Sequence, residues 1–164
     1  MMRTFAKVFA VAINLVLFDA ISKEIAAAAL RESSGIAVIP GFFNLAYVEN
    51  RGCAWGLFQG MVWPLAVFGC LAFAFFIWKR KALFYAFPVK RRGFKALGFT
   101  AECLLYAGIA GNLIDRIFRG YVIDFLDFHW GASHFPCFNL ADSYISIAAF
   151  ILIAMSFIGN KNAA

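Results

Sequence analysis

Carboxylates, amides and an arginine are gathered in three short blocks in the second half of a strongly apolar chain. The blocks are GNLIDR at residues 111–116, GYVIDF at 120–125 and FNLAD at 138–142. Each block lies at the boundary of a hydrophobic segment, where an ionisable side chain is costly to keep and marks a functional site by default. These polar residues are therefore the first candidates for chemistry.

Asp124 and Asp142 form the candidate catalytic pair. Two carboxylates at contact distance cannot both ionise cheaply, so such a pair holds one shared proton near neutral pH. The ionised partner would take a proton from water while the protonated partner polarises a scissile carbonyl, which hydrolyses a peptide without a metal or a covalent intermediate. Because a helix N-terminus favours the charged form of an acid, we expect Asp142 to be the resting base and Asp124 to carry the proton of this coupled pair.

Further polar residues of the three blocks are expected to surround this pair. Asn112, Asp115 and Arg116 are spaced i, i+3 and i+4, which places them on one helical face. Asn112, Asn139 and Arg116 are in position to hydrogen-bond the carboxylates or to bind the backbone of a substrate. Asp115 is expected to support them.

Two upstream segments add candidates for the same site. Asp19 and Lys23 are one helical turn apart, so they share a face and can form an ion pair. The segment from about residue 30 to 60 contains several glycines and apolar runs, which predicts short β-strands lying on the membrane surface. Within it, Asn50, Gly52 and Ala54 belong to a stretch of small residues where backbone could approach an extended substrate.

Each of these residues also has a purely structural interpretation. Asp142 could cap the helix that follows it, since Asp is favoured at that position. Asp124 could be a loop anion paired with Arg119, and Asp115 with Arg116 could close a helix as an ion network. We favour the functional interpretation because acids converge from two segments on one membrane level.

The composition predicts the kind of protein that holds these residues. Of the 164 residues, 63% are hydrophobic and 15% are charged, and the mean hydropathy is +0.79. A soluble globular protein is about half apolar and a quarter charged. We therefore predict a single integral membrane domain over residues 1–164 with four helices, each near the roughly 20 residues that span a bilayer. The predicted spans are about 5–28, 61–78, 97–115 and 140–158.

The positive charges predict the orientation of these spans. Ten of the fifteen Lys and Arg residues lie near the termini or between the second and third spans, namely Arg3, Lys7, Lys79, Arg80, Lys81, Lys90, Arg91, Arg92, Lys95 and Lys161. The positive-inside rule places both termini and the 79–96 loop in the cytoplasm, so the polar blocks lie near the outer surface. Despite the net charge of +6, we interpret these residues as topology signals and contacts to anionic phospholipid, not as a nucleic-acid site.

No metal site and no cofactor are expected. His129 and His134 are five residues apart, which is not a one-face helical spacing, and the sequence has no HExxH motif. Cys53 and Cys137 both fall in predicted outer loops and could form a disulfide in an oxidising compartment. We favour separate packing of the two cysteines, and the sequence leaves the pairing open.

Five motifs together resemble those of the lipoprotein signal peptidase (signal peptidase II) family over nearly the whole chain. The family's D-Q-x-S/T-K motif corresponds to DAISK at 19–23 and its N-x-G-A-A-F motif to NRGCAW at 50–55. The GN-x-x-DR, DF and FN-x-AD motifs correspond to the three polar blocks. The chain departs from the family at five positions, with Ala20, Cys53, Trp55, Ala107 and Ile109 where other residues are usual. None of these departures removes a catalytic group.

The resemblance implies a bacterial enzyme of the cytoplasmic (inner) membrane whose catalytic aspartates are Asp124 and Asp142. Its substrates would be diacylglyceryl-modified prolipoproteins, cut just before the lipidated cysteine, and globomycin-type antibiotics would inhibit it. It also implies an all-α membrane protein with four transmembrane helices, a small extracytoplasmic β-cradle and a short periplasmic helix. We expect a monomer in which Asp127 and Glu49 are spectators of the chemistry.

A non-enzymatic protein is the competing hypothesis. A small transporter or channel subunit could use Asp19, Lys23, Asp115 and Arg116 as an ion relay, and it would distribute polar groups through the membrane depth. In this chain the polar groups are predicted to cluster at one level. Only Glu102 lies apart, near the cytoplasmic end of the third span, and the sequence assigns it no role.

Overall fold

Four long helices and a small antiparallel sheet make up the computed structural model, which describes residues 2–85 and 92–161. The helices are α1 (Met2–Leu30), α2 (Val62–Phe84), α3 (Arg92–Phe118) and α4 (Leu140–Lys161). Each contains an apolar stretch long enough to cross a membrane, namely Thr4–Leu30, Val62–Phe84, Gly93–Phe118 and Leu140–Ile158. Large apolar side chains on the outer faces of these helices, such as Phe68 and Phe150, are exposed as lipid contact requires.

The segment at 79–96 carries seven of the positive residues, and we call it the basic segment. The helices on either side of it are longer than the sequence predicted. Helix α2 continues past Trp78 to Phe84, and α3 begins at Arg92. Most of the predicted 79–96 loop is therefore helical, because Lys and Arg are good helix formers and a charge ends a membrane span without ending a helix. Lys90 and Arg91, on which the orientation also depends, lie outside the described residues.

Helix α3 is the central helix of the bundle and packs against α1, α2 and α4. Its contact with α4 is close at Gly108, where a Cβ atom would lie 2.4 Å from the carbonyl oxygen of Ala141. Small residues allow this approach of two helix backbones within a membrane. It brings the polar end of α3 against the first turn of α4.

The sheet joins the two connections on the opposite side of the bundle from the basic segment. Its strands are β1 (Ile36–Ile39), β2 (Phe43–Asn50), β3 (Val122–Trp130) and β4 (Ser133–His134), in that order and antiparallel. The strands expected between residues 30 and 60 are present. A short periplasmic helix was also expected, without a position in the sequence, and the described chain has a 3₁₀ helix at Ala54–Gly56, between β2 and α2.

Strand β3 corrects the prediction that Asp124 lies in a loop. Asp124 pairs with Val48 of β2, and Asn50 pairs with Val122. The β-branched and aromatic residues of VIDFLDFHW favour a strand, a local signal that the two acids in the segment obscure. The side chain of Phe125 anchors this strand by packing against Ala26 and Leu30 at the end of α1.

Candidate active site

Helix α4 begins with a reciprocal cap that fixes Asp142. The backbone N–H of Asp142 donates to Asn139 Oδ1 over 3.0 Å, and the backbone N–H of Asn139 donates to Asp142 Oδ2 over 3.3 Å. This is a capping box, with Asn139 as the cap and Asp142 in the first turn. The structural interpretation of Asp142 as the cap itself is therefore wrong. Its second oxygen, Oδ1, accepts from Asn112 Nδ2 over 2.7 Å.

Asp124 is buried on β3 and held through both of its oxygens. Its Oδ1 accepts from Asn139 Nδ2 over 2.7 Å, and its Oδ2 accepts from Asn50 Nδ2 over 2.9 Å. Asn139 thus contacts both aspartates. Its side-chain NH₂ group donates to Asp124, while its side-chain oxygen and its backbone N–H form the capping box with Asp142. Burial, and after it the nearby charge of Asp142, raises the pKa of Asp124 to about 7. This carboxyl can therefore hold a proton near neutral pH.

Lys23 lies beneath this pair and is fully buried. Its Nζ is 2.7 Å from Asp19 Oδ2, as their spacing predicted, and 2.9 Å from Asp115 Oδ2. It also donates to Asn112 Oδ1 over 3.1 Å, which fixes the Asn112 amide so that its NH₂ faces Asp142. These contacts tie α1 to α3.

Asp19 and Asp115 complete the support. Asp19 Oδ1 accepts the backbone N–H of Ala141 over 2.8 Å, so it satisfies one of the free donors at the start of α4. Asp115 accepts from Arg119 over 2.9 Å, and Arg119 also pairs with Glu24. Arg119 is therefore engaged by these two acids, and its predicted pairing with Asp124 is wrong.

Arg116 and the segment after β2 face the aspartates from the outer side. The Arg116 guanidinium donates to the carbonyl oxygens of Asn112 and Gly52 over 3.2 and 3.1 Å. Gly52 in turn donates its N–H to Asn50 Oδ1, which orients the Asn50 amide towards Asp124. A Cβ atom at Gly52 would lie 2.4 Å from the Leu57 carbonyl oxygen, so this turn requires glycine. The side chain of Ala54 lies outside the described residues.

Two cavities meet at Asp124. The first, of about 520 Å³, contains both aspartates, and we call it the helix-lined cavity because Ser143, Ile145, Ser146 and Ile147 of α4 form one wall. The second, of about 540 Å³, is the sheet-lined cavity, with Val48, Glu49 and Asp127 of β2 and β3 in its walls. Six residues line both cavities, namely Asn50, Cys53, Asp124, Phe135, Pro136 and Cys137. Lys23, Asp19 and Asp115 line neither cavity, so they are placed to support the site and not to touch a substrate.

Several residues of the site were not predicted from the sequence. Phe135 and Cys137 line both cavities. The rings of Phe135 and Trp55 both line the sheet-lined cavity and pack edge-on, with their centroids 5.8 Å apart. Ser143 and Ser146 lie on the cavity face of α4. Their i, i+3 spacing in an apolar helix was an available signal of a polar face.

Glu102, to which the sequence assigned no role, is fully buried between α2 and α3. It accepts two hydrogen bonds from Arg80, over 2.6 and 2.9 Å, and one from the Tyr85 hydroxyl over 2.5 Å. A bidentate Arg–carboxylate pair of this kind fixes geometry as well as contributing energy. Glu102 therefore joins α2 to α3 at the end of the bundle away from the aspartates.

The two histidines lie beside each other and next to Asp127. His134 Nδ1 is 2.8 Å from Asp127 Oδ1, and the two histidine rings stack with centroids 4.8 Å apart. Within residues 2–85 and 92–161 there is no group of three His, Cys, Asp or Glu side chains that could hold a metal ion. Metal independence stays a prediction.

Four membrane-length helices that hold one buried and one half-buried aspartate beside a cavity define a small membrane enzyme, and solved structures share this fold. One, described as a bacterial membrane enzyme determined by the in meso method at 2.3 Å resolution, matches with a TM-score of 0.74 and 30% identity over 97% of this chain and 92% of that one. A second, at 1.9 Å resolution, matches with a TM-score of 0.66 and 29% identity over 91% of each chain.

Sequence comparison gives the family. Residues 11–158 match the family described as signal peptidase (SPase) II. A lipoprotein signal peptidase of Paraburkholderia phymatum is 42% identical over 87% of this chain and 82% of its own length. One from Fusobacterium nucleatum is 37% identical over 90% and 84%. The chain belongs to the signal peptidase II family.

Proposed function

We propose that the chain is a membrane aspartic endopeptidase that removes the signal peptide from diacylglyceryl-modified prolipoproteins by cutting before the lipidated cysteine. Removal of lipoprotein signal peptides follows from its family and from relatives named lipoprotein signal peptidase. The aspartic mechanism rests on one observation above all. Asn139 hydrogen-bonds both Asp124 and Asp142 and so holds the two carboxylates at one cavity.

The two aspartates divide the chemistry between them. Asp142, in the first turn of α4, is the base that takes a proton from the attacking water, because the helix N-terminus stabilises its charged form. Asp124, whose pKa is raised to about 7, carries the proton that polarises the scissile carbonyl and then reaches the leaving amine. The two carboxyl groups titrate as one coupled pair, so their pKa values describe the pair and not each residue alone.

Neighbouring side chains position the substrate and the carboxylates. Arg116 lines the helix-lined cavity with its guanidinium bound to two carbonyl oxygens, so its remaining N–H groups can donate to substrate backbone. Asn50, Asn112 and Asn139 orient the aspartates. Gly52, with Ala54 beyond it, brings backbone to the rim of the site.

The setting is the bacterial inner membrane, with both termini in the cytoplasm and the aspartates near the outer surface. The basic segment between α2 and α3 supports this orientation. In the same proposal anionic phospholipid contacts the basic residues, globomycin-type inhibitors occupy the substrate cavity, and the enzyme acts as a monomer. The transporter hypothesis is not supported, because the chain belongs to a peptidase family.

The test is a cleavage assay on purified enzyme with a diacylglyceryl-modified prolipoprotein. Asp124→Asn and Asp142→Asn keep size and hydrogen bonding but remove the shared proton, so each should lower kcat by about 10³-fold or more. The double variant should be little worse than either single one, because groups that act as a unit are non-additive.

The matched control is Glu32→Gln, which removes an exposed acid that lines neither cavity. It should cleave at the wild-type rate, and EDTA should leave the wild-type rate unchanged. Wild-type turnover in either aspartate variant, or activity that EDTA abolishes and zinc restores, would contradict the aspartic mechanism.

A further inference from the structure

The sheet-lined cavity has no part in the chemistry proposed above, yet it opens onto the same carboxyl group. Asp124 lies in the wall between the sheet-lined cavity and the helix-lined cavity. The two cavities share five other lining residues. An extended chain cut at Asp124 must leave the site in two directions. The two cavities offer one path to each side of the cleaved bond.

The surroundings of each cavity decide which side it serves. Residues Ile145 and Ile147 line the helix-lined cavity from α4, which crosses the membrane. The apolar signal peptide and the acyl chains on the modified cysteine stay in the bilayer, so they belong on this side. The mature lipoprotein is a polar chain that leaves the membrane. The sheet-lined cavity, walled by β2 and β3, is the remaining path.

The sheet-lined cavity also has a distinct charge. Its ionisable lining residues include the acids Glu49, Asp124 and Asp127, with His134 as a basic group and no Lys or Arg among the described lining residues. Burial acts to raise the pKa of Asp127, but hydrogen bonds from His134 and Asn44 outweigh it and leave the pKa below its usual value. Asp127 is therefore ionised at neutral pH.

Glu49 adds a second acid that faces this cavity. Its carboxylate accepts from Tyr47 and Arg51, and the Arg51 side chain is mostly exposed to solvent and does not line the cavity. Exposed ion pairs of this kind are screened and weak. The cavity thus presents acidic groups to whatever enters it.

We propose that the sheet-lined cavity binds the first residues of the mature lipoprotein that follow the modified cysteine, and that Glu49 and Asp127 make it select basic over acidic side chains there. This inference rests on the proposed function. A basic side chain would lie near two carboxylates, whereas an acidic one would meet like charges in a partly desolvated cavity.

The test uses three prolipoprotein substrates that differ only in the residue after the modified cysteine, which is Gln, Lys or Glu. For the wild-type enzyme kcat/KM should be about tenfold higher with Lys than with Glu. In Glu49→Gln/Asp127→Asn the ratio should fall to within about twofold. In Glu32→Gln, which removes an acid that does not line the cavity, the tenfold ratio should persist.

The outcomes separate the two proposals. If the wild-type enzyme cleaves none of the three substrates, the proposed function fails and the subsite with it. If it cleaves all three equally, or if the double variant keeps the tenfold ratio, the function stands and the subsite is refuted.

A second measurement needs only the wild-type enzyme. A photoreactive residue placed two positions after the modified cysteine should crosslink to the β2 segment around Val48. Crosslinks to residues 143–147 of α4 would overturn the assignment. This result does not depend on whether the double variant folds.

Discussion

At the scale of single residues, Asn139 organises the site more than either aspartate does. Its side-chain oxygen caps α4 at Asp142 while its NH₂ group donates to Asp124. One amide therefore sets the separation of the two carboxylates, and it accepts and donates at the same time. An ionised acid of the same shape could not donate to Asp124, which explains why an amide suits the position between two aspartates.

The raised pKa of Asp124 predicts how stability depends on pH. A carboxyl whose folded pKa lies above its unfolded value of 3.8 contributes stability that is fully present below that value and lost as pH rises through about 7. Between pH 5 and pH 8 the loss is about 3 kcal/mol. Because Asn is neutral at every pH, Asp124→Asn should have a higher Tm than wild type at pH 8, by several degrees, and the difference should shrink at pH 5.

Thermal melts in detergent at the two pH values measure this difference directly. Asp127→Asn is the control, because the pKa of Asp127 is lowered and its substitution should not raise Tm at pH 8. A pH-independent difference between Asp124→Asn and wild type would show that Asp124 is not a buried acid with a raised pKa.

At the scale of elements, α1 acts as a support for the start of α4. Asp19 accepts the Ala141 N–H, and Lys23 neutralises Asp19 while it orients Asn112. The neighbouring cation offsets the cost of burying this carboxylate at the start of a distant helix. The polar residues of α1 thus act through α3 and α4.

Lys23→Met should destabilise the protein by about 3–5 kcal/mol, since removing one partner leaves a buried charge uncompensated. The charge most affected is Asp19, because Asp115 keeps Arg119. Asp19→Asn/Lys23→Met should therefore recover part of the lost Tm. Melting curves of the three proteins decide the matter, and a double variant less stable than Lys23→Met would contradict this account.

The Arg80–Glu102 ion pair is predicted to contribute to stability and to have no effect on turnover. Glu102 precedes Asn112 by ten residues, or about 15 Å along α3. Arg80→Met should lower Tm because Glu102 remains buried without the cation that neutralises it, although Tyr85 still donates a hydrogen bond. Turnover at a temperature where the variant is folded should match wild type. Arg80→Met/Glu102→Gln should regain stability, and a loss of kcat in that folded double variant would show coupling to the active site.

The elements differ in how far local sequence specifies them. Four apolar stretches of spanning length identify the helices, and the spacing of Asp19 and Lys23 identifies their ion pair. Strand β3 was missed because Asp124 and Asp127 interrupt its apolar pattern, and only the folded sheet shows that Asp124 faces inward. The convergence of polar blocks followed from topology. The contact of Asn139 with Asp124 and the sheet-lined cavity depend on distances between segments that are far apart in the sequence. The local spacing of apolar and polar residues does not predict such distances.

At the scale of the whole molecule, the two ends of the helix bundle differ in charge. The acids Asp19, Asp115, Asp124 and Asp142 are gathered at the end that carries the sheet. Lys79, Arg80 and Lys81 lie in the last part of α2, at the other end, with Lys95 in the first part of α3. The orientation proposed above follows from this asymmetry, because positive residues are retained on the cytoplasmic side.

The proposed orientation predicts the behaviour of reporter fusions. Alkaline phosphatase folds only outside the cytoplasm, so a fusion after Tyr85, where α2 is complete, and a fusion at the C-terminus should both be inactive. A fusion at Gly41, between β1 and β2, should be active. Green fluorescent protein, which is fluorescent when it folds in the cytoplasm, should give the reverse pattern at the same three positions. An active phosphatase at the C-terminus would mean an odd number of crossings or an inverted protein, and it would place the aspartates on the wrong side of the membrane to meet exported lipoproteins.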